Sequence, residues 1–180
     1  MPNYRRTRIA GGTYFFTVVT FRRFPLLASS SAISALESSF GAVMACHPFT
    51  VEAMVIMPDH LHCIWTLPDG DHDFSTRWRL VKAGFSRANQ RSPVERIPSS
   101  LLRKKEKGVW QQKFWEHCIR DDMDFNAHCD YIHYNPVKHR LAQSPAEWQH
   151  STFGLFVQAG FYPRDWGHDI SPQVMAMELE

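Results

Sequence analysis

Met57-Pro58-Asp59-His60-Leu61-His62-Cys63-Ile64-Trp65 reads as a β-strand entered from a tight Pro-Asp turn. Side chains alternate across a strand, so both imidazoles project from one face while Leu61 and Cys63 project from the other. The two histidine Cα atoms are then roughly 6.5 to 7 Å apart, close enough for their ring nitrogens to converge on one cation. A pair of strand histidines is also common as plain structure, and the strand alone does not choose between the readings.

Outward from this strand the periodicity predicts the rest of a domain. Thr50 to Met57 is the preceding strand, paired through Pro58-Asp59 with His60 to Leu67. Thr13 to Phe21, rich in β-branched and aromatic residues, is a first strand, and Ser31 to Ala45 is a helix between the two. Phe74 to Asn89 carries an apolar stripe of Phe74, Trp78, Val81 and Phe85 and is a second helix, and Trp110 to Ile119 is a fourth strand. The order β-α-β-β-α-β is ferredoxin-like, an α+β fold with helices packed on an antiparallel sheet.

A further helix starts at Arg120-Asp121-Asp122-Met123 and should end at Tyr134 or Asn135, because Pro136 disfavours an α conformation in the residue before it. Asp124, His128, Tyr131 and Asn135 fall on one strip of this helix, and Phe125, Cys129 and Ile132 on an apolar strip beside it. A phenol and an amide oxygen four residues apart are neighbours, able to meet whatever His60 and His62 hold. Tyr131 also suits a packed rim tyrosine, and Asn135 before Pro136 suits ordinary turn chemistry. Tyr134 is a second phenol near the helix end but lies outside the strip that Tyr131 shares with Asn135.

With 180 residues, 44% of them hydrophobic, the chain suits one domain with a real core. Residues 141–180 keep large apolar side chains such as Trp148, Phe153 and Trp166 and should fold back on the core of residues 1–140. Cys46, Cys63, Cys118 and Cys129 include no C-x-x-C pair, which argues for reduced thiols and against a structural zinc site. With no signal peptide or long apolar segment, a cytoplasmic protein without membrane association is expected.

The net charge of +2 hides an asymmetry. Arg5, Arg6, Arg8, Arg22 and Arg23 stand in the first 23 residues without an acid, and a second basic tract runs from Arg77 to Lys107 with only Glu95 and Glu106 against it. Such polarity suits a phosphate-rich partner, and Arg5, Arg6, Arg8, Arg77, Arg79, Lys82, Lys104 and Lys105 are the expected phosphate contacts. A solvated helix face and a mobile basic loop over Gln90 to Gly108 would carry the same composition.

Several separated motifs then occur in a family's order. They are Tyr4-Arg5-Arg6, Gly11-Gly12-Thr13-Tyr14-Phe15-Phe16-Thr17, the run from Met57 through Pro68, and Trp110-Gln111. Phe114-Trp115-Glu116, Ile119-Arg120, Asp130-Tyr131-Ile132-His133-Tyr134-Asn135-Pro136-Val137-Lys138, Trp148 and Ser151-Thr152-Phe153 follow. In these the chain resembles the single-tyrosine HUH transposases, specifically the REP-associated tyrosine transposases of bacteria, with His60-Leu61-His62 as the HUH pattern.

The resemblance implies that Tyr131 is the nucleophile, that His60 and His62 bind Mg²⁺ or Mn²⁺, and that Asn135 completes the site. It also implies a single-stranded or hairpin DNA partner with a short flanking recognition sequence, a nucleoid association when DNA-bound, and monomeric action in cis, with a dimer left open. The reaction expected is cleavage and rejoining of a DNA strand through a 5'-phosphotyrosine. Activity should decline below a pH of about 6.5, where a free imidazole protonates. The competing reading is a hairpin-DNA-binding repressor that keeps the fold without catalysis. A histidine phosphoesterase fits poorly, since Ile64 and Thr66 follow His62 on the same face.

Overall fold

A computed structural model of the chain describes residues 8–89, 108–168 and 170–179. In chain order it holds β1 (Thr13–Val19), α1 (Ser30–Cys46), β2 (Thr50–Ile56), β3 (His60–Thr66), α2 (Phe74–Ala88), β4 (Trp115–Cys118) and α3 (Asp122–Lys138). Two short helices, α4 (Phe153–Gln158) and α5 (Pro172–Met175), lie in the C-terminal region. The sheet order is β2-β3-β1-β4, every neighbouring pair antiparallel, which is the ferredoxin-like arrangement.

Period-2 alternation divides the sheet between two cores. Tyr14, Phe16 and Val18 of β1 and Leu61, Cys63 and Trp65 of β3 face α1 and α2. Phe15, Val55 and Ile64 face α3 and the C-terminal region. In β2 the register slips between Val51 and Ala53, a bulge at Glu52 that lets Val51 join the first core and Ala53 the second. Gly84 lets α2 approach α1 closely, since a Cβ there would meet the Ser39 side chain at 3.1 Å.

Helix starts follow their caps. Ser29 Oγ accepts from the Ala32 N–H, Asp73 from Thr76 and Asp121 from Asp124. α3 also carries Asp122 and Asp124 in its first turn and Lys138 in its last, complementing the helix dipole at both ends. α3 departs from expectation at its C-terminus, running through Pro136 to Lys138. Asn135 and Pro136 are both buried, and the backbone N–H groups of His139 and Leu141 donate to the carbonyls of Asn135 and Pro136, so packing and the continuing ladder outweigh the local penalty of proline. β4 is also shorter than expected, because Trp110 makes a lone bridge to Thr20 and regular pairing begins at Trp115.

The chain after α3 folds back on the sheet. Trp148 Nε1 donates to the Ile56 carbonyl, Thr152 Oγ1 accepts from the Met54 N–H, and Val174 is buried among Phe15, Tyr131 and Ile132. Among the described residues no helix is long and apolar enough to cross a membrane.

Candidate active site

His60 and His62 share the α3-facing side of β3, with ring centroids 4.8 Å apart and relative exposures of 1% and 0%. Each ring is oriented through Nδ1. His60 Nδ1 lies 2.6 Å from Asp59 Oδ1, and because a carboxylate only accepts, Nδ1 carries the proton and Nε2 keeps the lone pair. Thr17, paired with His62 across the sheet, donates its hydroxyl proton to the Leu179 carbonyl at 2.5 Å. The same oxygen, 2.9 Å from His62 Nδ1, is left to accept, so His62 has the same tautomer.

Both Nε2 atoms are buried without a hydrogen-bond partner, as are the amide nitrogen and oxygen of Asn135. Leaving such atoms orphaned costs about 1 to 3 kcal/mol each. Two imidazole lone pairs fixed by a carboxylate and a hydroxyl behind them, with a buried amide oxygen, form a donor set that fits a divalent cation. Burial above all, with the nearby Lys138 and Arg23 cations adding to it, holds the His62 pKa well below the usual histidine value and keeps that lone pair free. Burial alone would raise the Asp59 carboxyl, but hydrogen bonding to His60 and Arg23 outweighs it and keeps Asp59 ionised.

α3 brings Tyr131 to this pair. The Tyr131 ring is 5.1 Å from His62, edge to face, and 6.1 Å from Phe15, which also stacks on His62 at 5.5 Å. Tyr131 is 1% exposed, and Asn135 lies one turn further along the helix, fully buried. Tyr134 instead is half-buried and lies towards Gly167 in the C-terminal region. Two residues of the neighbourhood gain significance only in three dimensions. Lys138, two turns beyond Tyr131, holds its ammonium 4.7 Å from the Tyr131 ring centroid and donates to the Met177 carbonyl. His139, which caps α3, stands 5.3 Å from His60.

A second cluster of candidate metal ligands lies beside this centre. His117 on β4 and Asp124 and His128 on α3 place ligand atoms within 4.8 Å of one another. Asp124 Oδ2 accepts from His117 Nε2 at 2.8 Å and Arg120 Nε at 3.0 Å, and the two imidazoles stack 12° from parallel at 4.8 Å. Burial would raise the Asp124 carboxyl, but these two partners hold it well below its ordinary range. His128 Nδ1 donates to the Asp124 carbonyl at 2.7 Å, and its ring contacts Phe15 at 4.8 Å. Asp124 and His128, spaced i to i+4, were visible as one helix strip, whereas His117 on a separate strand was not.

Of the expected phosphate contacts, Arg8 and Arg79 are exposed and Lys82 is half-buried, donating to the Gln111 carbonyl at 2.9 Å. Arg5, Arg6, Lys104 and Lys105 lie outside the described residues. Arg77 does not belong with the others. It is 2% exposed, paired with Asp71 at 2.7 Å and donating to the carbonyls of His47, Pro48 and Asp73, so its guanidinium ties loops to α2 and is turned away from solvent.

No protein-family model matches the chain. The chain is 42% identical over 172 residues to the REP-associated tyrosine transposase of Escherichia coli (strain K12), covering 95% of this chain and 94% of that protein. It is 38% identical over 167 residues to a putative REP-associated tyrosine transposase of Haemophilus influenzae (strain ATCC 51907 / DSM 11121 / KW20 / Rd), covering 93% and 94%. The structure of a REP-associated tyrosine transposase bound to a REP hairpin superposes with a TM-score of 0.78 at 40% identity, covering 95% of this chain and 94% of that one. With two histidines and a tyrosine meeting in one buried centre, and with relatives this similar along nearly their whole length, the chain belongs to the REP-associated tyrosine transposases.

Proposed function

We propose that the chain cleaves and rejoins single-stranded DNA beside a palindromic hairpin, with Tyr131 as nucleophile and His60, His62 and Asn135 as ligands of one divalent cation. The observation that carries this reading is the edge-to-face approach of Tyr131 to His62, whose outward nitrogen is a lone pair held ready. Bound there, Mg²⁺ or Mn²⁺ would supply Lewis-acid polarisation of a scissile phosphate. Carboxamide and water ligands favour Mg²⁺, and two imidazoles shift the preference toward Mn²⁺.

The protein's own part is to aim and charge the reactants. Tyr131 Oη forms a bond to phosphorus as its proton passes to a base, and the bond from phosphorus to O3' breaks as O3' takes up a proton, leaving a 3'-hydroxyl and a 5'-phosphotyrosine. A second 3'-hydroxyl reverses these steps on another strand, since one phosphodiester is exchanged for another. The Lys138 ammonium lies over the Tyr131 ring, so its charge favours the phenolate that forms as the proton departs. Arg8, Arg79 and Lys82 supply phosphate contacts on the described surface, and the REP hairpin seen with the structurally similar transposase supports a hairpin as the DNA.

The test uses a REP hairpin oligonucleotide labelled at its 5' or 3' end, incubated with Mn²⁺ and resolved on denaturing gels. One label should shift with the protein, and the shift should vanish in Tyr131→Phe and persist in Tyr134→Phe. An adduct that survives Tyr131→Phe would assign the nucleophile elsewhere, and no adduct from the wild type would leave a DNA-binding protein without cleavage.

A further inference from the structure

On the sheet face opposite Tyr131, a cavity of about 590 Å³ opens between α2 and the segment leading from Gly108 into β4. That size lies within the roughly 300–1,000 Å³ of pockets that hold small organic groups. Trp78, Arg79, Lys82 and Arg87 of α2 line one wall, with Trp110 and Phe114 opposite. No carboxylate is among the lining residues that the structure describes. Arg79 and Arg87 are exposed at its margin, while Trp78 is 1% exposed and Trp110 half-buried. The indole N–H groups of both tryptophans are buried without an acceptor.

Such a lining has a definite chemical preference. Flat aromatic walls receive a planar ring, orphaned indole donors call for a carbonyl or ring-nitrogen acceptor, and cations at the margin call for an anion attached to that ring. An unpaired nucleobase with its phosphate offers all three. The topology connects this cavity with the catalytic centre. β4 is an edge strand of four residues preceded by Phe114 on the cavity side, and its first residue, Trp115, lies on the Tyr131 side, 40% exposed and 5.7 Å from Phe15. A single strand passing round that edge meets aromatic surface on both faces.

We propose that this cavity binds one unpaired nucleotide of the DNA strand that Tyr131 cleaves, with the strand wrapped round the β4 edge. The inference rests on the single-stranded DNA reading above and adds a recognition site to it.

The test places 5-iododeoxyuridine at successive positions of the single-stranded flank of a REP hairpin oligonucleotide, binds it to the Tyr131→Phe protein, irradiates, and maps the cross-linked peptide. One position should cross-link to Trp110 or Phe114, and cross-links confined to other residues would overturn the proposal. In parallel, Trp110→Leu and Arg87→Ala should each weaken binding of the flanked hairpin about tenfold, the scale of one lost stacking or phosphate contact, and leave a blunt hairpin unaffected. Arg87 is exposed, so Arg87→Ala decides the matter should Trp110→Leu unfold. Equal effects on both hairpins, or none on either, would also overturn it. Adduct formation by the wild type is scored separately: an adduct without flank-dependent loss removes only the cavity, and flank-dependent loss without an adduct removes only the cleavage reading.

Discussion

Thr17 Oγ1 stands between two partners, donating to the Leu179 carbonyl at 2.5 Å and facing His62 Nδ1 at 2.9 Å. One hydroxyl thereby fixes the tautomer of a metal-ligand candidate and ties the C-terminal region to the centre of the sheet. Thr17→Val keeps the shape and removes both bonds. Outer hydrogen bonds of this kind are worth about 10- to 100-fold in metal affinity, so the Mn²⁺ concentration for half-maximal cleavage should rise by that factor. An unchanged Mn²⁺ dependence would show that His62 is not a ligand or needs no such support.

Asp59 performs the same service for His60 and is held in turn by Arg23 at 3.2 Å. Asp59→Ala should also raise the Mn²⁺ requirement by about 10- to 100-fold. Asp59→Asn, which can still accept from Nδ1, should recover part of the loss. Equal deficits in the two variants would mean that charge, and not orientation, is what Asp59 contributes.

Arg77 and Arg79 are two residues apart and separable by salt. Arg77→Ala removes a buried guanidinium and should cost about 2 to 3 kcal/mol of stability, read as a lower urea midpoint, with no change in the salt dependence of DNA binding. Arg79→Ala should leave the urea midpoint in place and reduce the slope of log affinity against log salt by about one phosphate contact. Exchange of these two phenotypes would reverse the assignment.

Burial lowers the pKa of His62, His128 and His133, the last to about 3. A histidine held neutral in the fold binds its proton first in the unfolded chain. The stability it contributes is therefore complete above a pH of about 6.5 and is lost as the pH falls through the folded value. Between those limits each such residue steepens the loss by up to about 1.4 kcal/mol per pH unit. Urea unfolding across this range should show the slope, and His133→Gln should flatten it, though with lower stability at neutral pH because the buried His133–Thr152 hydrogen bond is lost. Equal slopes in both proteins would remove His133 from the account. The same burial moves the acid limit expected for His62 ligation below the value for a free imidazole.

Tyr131 is 1% exposed, so DNA reaches it only when something moves. The segment after α4 is the covering element, with Val174 buried against this core and the Met177 and Leu179 carbonyls bound by Lys138 and Thr17. Truncation before Ile170 should speed adduct formation and lower the melting temperature. Slower adduct formation by a folded truncation would instead make the segment part of the catalytic apparatus.

The sheet and its histidine strand were legible in the sequence because alternation and the Pro58-Asp59 turn are local signals. The early end assigned to α3 came from a local rule about Pro136, which burial of Asn135 and Pro136 overrides. Arg77 looked like its solvated neighbours because its partners, Asp71 and the carbonyls of His47 and Pro48, arrive through tertiary contact. Trp110 and Phe114 extended the apparent fourth strand, since their alternation resembles pairing although they pack beside α2. The shared strip of Tyr131 and Asn135 could be read from helix periodicity, while Lys138 and His117 find their neighbours Tyr131 and His128 only once α3 lies across the sheet.

Phe15 and Thr17 of β1 look toward the phenol, and Tyr14, Phe16 and Val18 look the other way. Adding or deleting a single codon within Thr13–Val19 would exchange these two sets, burying the hydroxyl among the α1 and α2 side chains and thrusting tyrosine and phenylalanine between the imidazoles. Evolution can thus rewrite the letters of this segment but not its length, and indel-tolerant positions should be sought in the connections and never in the ribbon itself.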